Sequence, residues 1–504
     1  MILLSQAICE SEALTMRQEP IAPLDLMERA GTTCAEYLLR HLPMTDYDKI
    51  MVFCGPGNNG GDGLVIARLL AQQGLFVETV LCNENGKTSN EFAENLEHLN
   101  RLPLTNLSIV EYAPALFQPN PQVLVIDALF GIGLSKPLKG YYADIVEQVN
   151  QLPVTKAAID VPSGLFIDSH TPATYKVLRA NLTLTFQFQK LAYVMPENAD
   201  RVGKVEILDI GLRMPEEQLE QMIPCVEMSL AKQIRRPVAL FAHKGTFGHG
   251  LLIAGSRKMP GAAVLASNAA LRVGAGKLTT HLPAAVASSL PFTIPEAMLS
   301  VDANDDFFTG IDLENYSSVN AIAIGPGLGR NPKTEAALGT LLDEIQMPVV
   351  LDADALNILA DNKTWLAYLP SGSILTPHVR EFERLAGKAK DDFDRLEKLR
   401  TFAKHYGVVV ILKGRYSAVA MPDGNLFFNT TGNPGMATGG SGDVLTGILL
   451  GLLTRGYLSE EAALFGVFLH GLAGDLAVEG SESLESLLAS DICKNIGKAY
   501  RKMG

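Results

Sequence analysis

The chain has 504 residues, of which 47% are hydrophobic and 7% aromatic, with 45 glycines and a net charge of −13. This length predicts at least two domains, because a single hydrophobic core stops growing well below it, and the composition is typical of a globular α/β protein. The acidic balance, with no basic stripe, argues against a nucleic-acid-binding protein.

The cysteines and the first residues indicate the compartment. The six cysteines show no CxxC pair and no zinc-like spacing with the nine histidines, which argues against a disulfide framework or a structural metal. Glu10 and Glu12 interrupt the apolar start of the chain before a signal-peptide core can form, and no run of uninterrupted apolar residues is long enough to span a membrane. We therefore expect a cytoplasmic protein without a membrane partner.

The first half alternates short apolar runs with helical patterns, which predicts a sheet covered on both faces. The predicted strands lie in IMVFC (50–54), LFVETVLC (75–82), QVLVIDALFGIG (122–133), KAAIDVPSG (156–164), NLTLTF (181–186) and KVEILDIG (204–211). The segment LVIARLLAQQG (64–74) has apolar residues at helical spacing and predicts a helix that ends at Gly74.

A glycine-rich loop, GPGNNGGDG (55–63), follows the first of these strands and precedes the predicted helix. Glycines in this place let backbone N–H groups approach an anion at the helix N-terminus, so we predict a phosphate site. The loop is neither a dinucleotide-binding fingerprint nor a Walker loop, which argues against hydride transfer and P-loop hydrolysis. The structural alternative is a Gly-Asn turn.

Two aspartates, Asp127 and Asp160, end predicted strands. Open α/β sheets bind ligands at the carboxyl ends of their strands, so two carboxylates there favour a shared crevice over two separate helix caps. Asn59, Asp127 and Ser163 supply oxygen ligands that suit a hard cation and not zinc or copper.

Four motifs in order, LMERAG (26–31), NNGGDG (58–63), DALFGIG (127–133) and DVPSG (160–164), make the first half resemble the NAD(P)HX epimerase domain of the YjeF type. The resemblance implies a Rossmann-like three-layer fold, potassium held by Asn59, Asp127 and Ser163, and Asp160 as the acid/base group for inversion at C6 of the hydrated nicotinamide ring. It also implies that the hydrate contacts Asp160 and two loops, which comprise Asn58, Asn59, Gly60, Gly61 and Asp62, and Gly131, Ile132, Gly133, Leu134, Ser135, Lys136 and Pro137.

The pattern lapses at GLRMPEEQLEQMIP (211–224) and a second series begins near residue 235, so we predict domains over 1–220 and 221–504. The second series again predicts alternating strands and helices. Its segments are GLLIAG (250–255), a helix over 261–273, KLTTHL (277–282), AIAIGPGLG (321–329), VVLDADAL (349–356), SILTPH (373–378), GVVVILKG (407–414), SAVAM (417–421) and an apolar helix from near Gly442.

The strongest motif is TTGNPGMATGGSGDVLTGILLGLL (430–453). Gly439, Gly440, Ser441 and Gly442 permit a turn whose N–H groups point into a pocket, and Asp443 lies in the first turn of the apolar helix. This arrangement predicts an anion hole beside a base suited to phosphoryl transfer. The structural alternative is helix capping by Ser441.

This helix start resembles the ribokinase-like superfamily, which contains both small-metabolite kinases and a dehydratase. The accompanying motifs, HKGTFGHGLLIAGS (243–256), PGAA (260–263), GPGLGR (325–330), LDADALN (351–357), TPHVREFERL (376–385) and LKG (412–414), are similar to ADP-dependent NAD(P)HX dehydratase. The resemblance implies Asp443 as the base, ADP with magnesium, a hydrate site at Ala262, Gly327, His378 and Asp443, and a nucleotide site at Lys413, Gly414, Arg415, Tyr416, Ser417 and Gly442. From the residues alone, His378 also suits a structural role, Lys413 an exposed one, and Asp352 and Asp354 suit caps or turns.

Together the two resemblances predict a bifunctional enzyme of nicotinamide nucleotide repair. The epimerase would interconvert the two C6 epimers of NADHX and NADPHX, and the dehydratase would consume one of them with ADP. The alternatives are a small-metabolite kinase fused to a nucleotide-binding regulatory domain, and a non-catalytic scaffold or RNA-associated module, which the lack of a basic patch disfavours. A homo-oligomer is also expected.

Overall fold

Buried parallel strands and helices alternate along both halves of the chain and segregate into two units. The computed structural model describes residues 1–113, 122–214 and 222–504. Unit 1 comprises Met1–Ile223 with the short segment Asp391–Phe393, and unit 2 comprises Pro224–Lys390 and Asp394–Gly504. The predicted boundary between residues 220 and 221 lies outside the described residues.

Unit 1 contains strands formed mainly by Val-, Ile- and Leu-rich runs. The strands are β1 (Ile2–Leu3), β2 (Lys49–Cys54), β3 (Val77–Leu81), β4 (Leu107–Glu111), β5 (Val123–Ala128), β6 (Thr155–Ile159), β7 (Leu182–Phe186), β8 (Lys204–Leu208) and β9 (Met222–Ile223). The helices are α1 (Ser5–Gln18), α2 (Pro23–His41), α3 (Asn58–Gln72), α4 (Asn90–Asn100), α5 (Gly140–Gln151) and α6 (Ala199–Val202).

The main sheet of unit 1 is parallel, with the order β4-β3-β2-β5-β6-β7-β8 among the described residues. Alternate strand residues enter two apolar layers: Val52 packs with side chains of α2, α3 and α4, and Phe53 packs with those of α5. Helices therefore cover both faces, and the predicted three-layer α/β fold is confirmed. The chain reverses direction across the sheet between β2 and β5, which opens a crevice at the carboxyl ends of these two strands.

Unit 2 repeats this design with a larger sheet. Its strands are β10 (Cys225–Val226), β11 (His249–Ile253), β12 (Lys277–Leu282), β13 (Met298–Val301), β14 (Ala321–Ile324), β15 (Val349–Leu351), β16 (Ile374–Leu375), β17 (Val409–Leu412), β18 (Ala418–Ala420) and β19 (Leu426–Asn429). Its helices are α7 (Met228–Ile234), α8 (Pro260–Arg272), α9 (Ala284–Ala287), α10 (Ser289–Thr293), α11 (Pro332–Glu344), α12 (Ala353–Asp361), α13 (Val379–Ala386), α14 (Asp392–Tyr406), α15 (Ser441–Thr454), α16 (Ser459–Gly480) and α17 (Ala489–Lys502).

The sheet of unit 2 has the order β10-β19-β18-β17-β16-β15-β14-β11-β12-β13 in the described part of the chain. Its strands are parallel except that β18 is antiparallel to both neighbours. The order reverses between β11 and β14, which makes a second crevice at the strand ends. Helix α16 is long and apolar enough to cross a membrane, but 72% of its most apolar window is buried inside the protein, which is typical of a core helix.

The structure corrects two local predictions. Helix α3 begins at Asn58, so NNGGDG forms its first turns instead of a loop before it. Strand β15 ends at Leu351 and a helix begins at Ala353, so DADAL is not part of the strand. Strands β4 and β13 have no predicted counterpart, and both pair at an edge of their sheets.

Candidate active sites

The crevice of unit 1 brings the ends of β2 and β5 together. Helix α3 follows β2 so closely that a Cβ on Gly60 would lie 1.7 Å from the carbonyl oxygen of Gly55, which only glycine permits. Asp127 at the end of β5 is 1% exposed. Its carboxylate accepts hydrogen bonds from Ser163 Oγ at 2.7 Å, Ser163 N at 2.8 Å and Leu129 N at 3.2 Å.

These donors to Asp127 are neutral, and burial raises the pKa of its carboxyl to about 6 against their effect. A buried carboxylate that faces neutral donors favours a bound cation. Asn59 is also buried, and its Nδ2 atom has no hydrogen-bond partner in the described part of the chain. Ser163 therefore lies against Asp127, and Asn59 lies at the start of α3. Coordination of a cation by these three residues stays a prediction.

Asp160 lies directly after β6 in the left-handed region, with φ +60°. Its backbone is held there by a hydrogen bond from its N–H to Leu184 O at 2.7 Å and by one from Tyr193 Oη to its carbonyl oxygen at 2.5 Å. A non-glycine residue in this conformation costs about 1–3 kcal/mol and persists where the surroundings impose it, often at active sites. The surrounding contacts therefore fix the direction of this carboxylate.

One oxygen of Asp160 is anchored and the other is not. Oδ1 accepts hydrogen bonds from Lys190 Nζ at 2.6 Å, Thr185 Oγ1 at 3.2 Å and the backbone N–H of Phe186 at 3.3 Å. No donor bonds Oδ2 among the described residues, and a Cβ built on Gly131 would lie 3.5 Å from it and from Asn59. The structure thus brings Asp160, Asn59 and Gly131 together.

The other predicted residues of this site lie around the crevice. Asp62 is in the second turn of α3, where burial and the charges of Asp160 and Glu12 raise the pKa of its carboxyl. The segment from Gly131 to Pro137 is an irregular loop between β5 and α5 in which Gly133, Ser135 and Lys136 are exposed. Such a loop leaves polar groups available to a ligand.

In unit 2 the first turn of α15 carries Asp443. Burial and the charges of Asp352 and Asp354 raise the pKa of its carboxyl to about 6, with the charge of Lys413 acting in the opposite sense. A Cβ on Gly442 would lie 3.2 Å from Lys413 Nζ and 3.6 Å from Asp352 Oδ2. The helix start therefore faces both groups.

Lys413 and Asp352 form an ion pair, with Nζ 2.7 Å from Oδ1, in which the carboxylate is buried and the lysine side chain is partly buried. Asp352 is 1% exposed, and its Oδ2 accepts a hydrogen bond from Thr446 Oγ1 at 2.8 Å. Burial lowers the pKa of the Lys413 ammonium, but the charges of Asp352 and Glu381 outweigh burial, and the net pKa is raised. The lysine is thus a cation beside Asp443. Asp352 occupies the N-cap position of α12, but its side chain binds Lys413 and Thr446 and makes no capping hydrogen bond.

His378 is the N-cap of α13. Its Nδ1 accepts hydrogen bonds from the N–H groups of Arg380 at 3.1 Å and Glu381 at 3.3 Å, and Glu381 Oε2 accepts one from the His378 N–H at 2.8 Å. His378 therefore has the structural role of a helix cap. The half-exposed ring still leaves Nε2 at the surface, 3.4 Å from Glu381 Oε1, so a substrate contact stays a prediction.

Gly327 and Ala262 meet at the second crevice. A Cβ on Gly327 would lie 2.8 Å from Met259 O and 3.0 Å from the Ala262 side chain, at φ +65°. Asp354 holds this loop by accepting a hydrogen bond from Gly329 N at 2.8 Å. The predicted nucleotide residues that follow Lys413 lie on the exposed turn between β17 and β18, where the Arg415 guanidinium lies 4.7 Å from the Tyr416 ring centroid.

Comparison with known proteins decides the family. A family model described as "YjeF-related protein N-terminus" matches residues 23–192, and one described as "NAD(P)H-hydrate dehydratase" matches residues 250–498. A bifunctional NAD(P)H-hydrate repair enzyme from Moorella thermoacetica is 36% identical over 95% of this chain and 93% of its own length. A protein of the same name from Thermofilum pendens is 34% identical over 95% and 92%. The chain belongs to the bifunctional NAD(P)H-hydrate repair enzyme family.

Nothing in these matches to repair enzymes favours the kinase alternative. Among solved structures, the ADP/ATP-dependent NAD(P)H-hydrate dehydratase of Bacillus subtilis, co-crystallised with ATP and Mg²⁺, is 30% identical. The similarity covers 56% of this chain and 99% of that one, with a TM-score of 0.48.

The sequence motifs did not predict several polar residues at the two sites. In unit 1 they are Lys190 and Thr185 on Asp160, and Glu12, whose carboxyl is coupled to both Asp160 and Lys190. In unit 2 they include Thr446 on Asp352, and His470, whose Nε2 lies 3.4 Å from Ser441 Oγ and whose pKa burial lowers to about 4. The one available signal was a charged or polar residue in an apolar stretch, as in FQKLAYVM around Lys190.

Proposed function

We propose that this chain restores hydrated NADH and NADPH in two steps. Unit 1 interconverts the R and S epimers at C6, and unit 2 dehydrates the S epimer at the expense of ADP, giving AMP and phosphate. The proposal is carried by a carboxylate placed in each crevice. Oδ2 of Asp160 accepts no hydrogen bond among the described residues, and the Asp443 carboxyl lies at the start of α15 with a raised pKa. The two halves of the chain match the two domains of the repair enzymes.

In unit 2 Asp443 is the proton acceptor for the C6 hydroxyl. Removal of this proton lets the oxygen attack the β-phosphorus of ADP, with AMP as the leaving group. The C6–O bond then breaks with departure of phosphate, and loss of a proton from C5 restores the dihydropyridine. A carboxylate with a pKa of about 6 is mostly ionised at neutral pH and still basic enough for this task.

The surroundings of Asp443 support the same chemistry. N–H groups at the start of α15 and the Lys413 ammonium would stabilise charge on the transferred phosphoryl group. Magnesium bound with the nucleotide would neutralise phosphate charge. We assign the hydrate to Ala262, Gly327 and His378 beside Asp443, and the nucleotide to Gly442 and the exposed turn of Lys413, Gly414, Arg415, Tyr416 and Ser417.

In unit 1 Asp160 would be the proton acceptor of the epimerase, with the hydrate held between the start of α3 and the loop from Gly131 to Pro137. Potassium fits the donor set of Asn59, Asp127 and Ser163, because a cation would compensate the buried Asp127 carboxylate. Potassium bound there would connect the end of β5 to the start of α3. We further propose a cytoplasmic location and a homo-oligomer.

The test uses the purified chain with a mixture of NADHX epimers and ADP, and follows NADH absorbance. Asp443→Asn should lower conversion of both epimers by about 1,000-fold or more, and Asp160→Asn should spare the S epimer and stop only the R epimer. Equal loss in both variants would contradict the division of labour. Replacing potassium by a larger organic cation should slow only the R epimer.

A further inference from the structure

We propose that Glu12 is a second catalytic residue of the epimerase and donates the proton that Asp160 cannot supply. The proposal rests on the proposed epimerase function and adds to it the opposite half of the acid–base pair. No sequence motif pointed to Glu12. It follows from how α1 is packed in unit 1 and from the charges that surround the crevice.

Helix α1 is fastened next to the segments that carry Asp160 and Lys190. Leu3 N donates a hydrogen bond to the carbonyl oxygen of Gln189 at 3.2 Å, directly beside Lys190. Ile8 is buried in one apolar cluster with Val161, which follows Asp160, and with side chains on both sides of Lys190. Glu12 is one helical turn after Ile8, and residues four apart lie on neighbouring parts of a helix surface, so Glu12 lies on the side of α1 near this cluster, where it is partly buried.

The electrostatics agree with this placement. Glu12 is partly buried and makes no hydrogen bond or ion pair in the part of the chain that the structure describes. The charges of Asp160 and Lys190 act on the Glu12 carboxyl, and the charge of Glu12 acts in turn on Asp62 and Cys9. The Lys190 ammonium is buried and forms its ion pair with Asp160.

Glu12 and Asp160 have different surroundings. Burial and the charge of Asp160 raise the pKa of Glu12 to about 7, although Lys190 opposes this. Asp160 instead accepts hydrogen bonds from Lys190, Thr185 and Phe186 on Oδ1, which fix the direction of its carboxylate and leave Oδ2 without a donor among the described residues. Glu12 is thus suited to donate a proton, and Oδ2 of Asp160 is placed to accept one.

Epimerisation needs both groups. The protonated Glu12 carboxyl donates its proton to the C6 hydroxyl, the C6–O bond breaks, and water leaves with the bonding pair. The N1 lone pair forms an N1=C6 iminium ion, and water then adds to the other face of C6 while Asp160 accepts a proton from it. One water leaves and one enters, no electrons are gained or lost, and the proton passes from Glu12 to Asp160. Proton exchange with solvent then restores both carboxyl groups for the next turnover.

The experiment measures conversion of the R epimer of NADHX by the full chain, with excess Asp160→Asn chain added as a source of dehydratase. Glu12→Gln should lower kcat for the R epimer by about 100-fold or more, with KM changed less than about threefold, since it removes a proton donor and not a binding group. Conversion of the S epimer should stay within about twofold of the wild type. Glu12→Asp should recover at least about a tenth of the rate.

Glu10→Gln, on the same helix, is the matched control and should leave conversion of both epimers unchanged.

The pH profile is a second test. In the wild type, kcat for the R epimer should fall about tenfold per pH unit above about pH 7, as Glu12 loses its proton, and this limb should vanish in Glu12→Gln. Glu12→Gln activity within threefold of the wild type would overturn the proposal. So would a wild-type profile that is flat from about pH 6 to 9, a result that does not depend on folding of the variant. A wild-type chain that leaves the R epimer unconverted would instead refute the epimerase function itself.

Discussion

Each unit places a buried lysine–aspartate pair at the carboxyl ends of its parallel strands, but the two lysines contact different partners. In unit 1, Lys190 bonds directly to the carboxylate that we assign to chemistry, Asp160. In unit 2, Lys413 bonds to Asp352, and the assigned base Asp443 lies beside this pair without sharing its ion pair.

The two lysines therefore act differently on the carboxyl groups that we assign to chemistry. The lysine of unit 1 is fully buried, and its hydrogen bond to Oδ1 fixes the orientation of the Asp160 carboxylate. In unit 2, Asp352 takes the ammonium, and its own negative charge helps to raise the pKa of Asp443 to about 6. One pairing thus anchors a charged group, whereas the other creates a field around a neighbouring group.

The largest loss of stability and activity should come from removing the lysine of each lysine–aspartate pair. Lys190→Met and Lys413→Met each leave a buried carboxylate without its cation, so each unit should lose about 3–5 kcal/mol of unfolding free energy. Lys190→Met should stop conversion of the R epimer only, and Lys413→Met should stop conversion of both epimers. Urea unfolding monitored together with both activities tests this prediction. If Lys190→Met retained full R-epimer activity, Asp160 would not need its anchor.

The pH dependence of the dehydratase should have an ascending limb near pH 6. Asp443 must be ionised to accept a proton, and its raised pKa means that the active fraction falls about tenfold per pH unit below about 6. The measurement is kcat/KM for the S epimer from about pH 4.5 to 8. Lys413→Arg, which keeps the positive charge, is the control and should retain the limb. A rate independent of pH down to about 5 would contradict the assignment of Asp443.

The smallest effect should come from the threonines that complete the pairs. Thr185→Val and Thr446→Val each remove one hydrogen bond to a carboxylate, at a cost of about 1.5–3 kcal/mol. Thr185→Val should also slow conversion of the R epimer several-fold, because Thr185 bonds to Asp160 itself. Thr446→Val should change conversion of the S epimer little, because Thr446 bonds to Asp352 and not to Asp443. Thermal unfolding of both variants is compared with Thr340→Val, an exposed threonine on α11. A cost equal to that of the Thr340 variant would remove these hydroxyls from the two pairs.

Sequence patterns predicted what depends on neighbours in the chain. The glycine-rich segment at Asn58, the strand-end Asp127 and the helix start at Asp443 were located because strand, turn and helix signals extend over a few residues. The capping contact of His378 is equally local, yet the pattern could not distinguish it from a ligand contact. The motif NNGGDG was placed before the helix because its glycines weaken the helical signal that tertiary packing restores.

What the patterns could not predict is the set of partners distant in sequence. Lys190 follows Asp160 by 30 residues, and Lys413 follows Asp352 by 61. No periodicity links such positions, because the folded sheet alone brings their ends together. Glu12 is more distant still, and its position depends on how one helix packs on the sheet edge.

The pairing of β1 with β9 joins the two ends of unit 1, with Ile2 opposite Ile223 and Leu3 opposite Met222. Anyone who excises the epimerase half at the limits of its family model, residues 23–192, removes this pair together with α1 and β8. The remaining fragment would keep Asp160 and Lys190 but lose Glu12. A fragment that keeps β1, α1, β8 and β9 therefore needs residues on both sides of the segment that sequence comparison recognises.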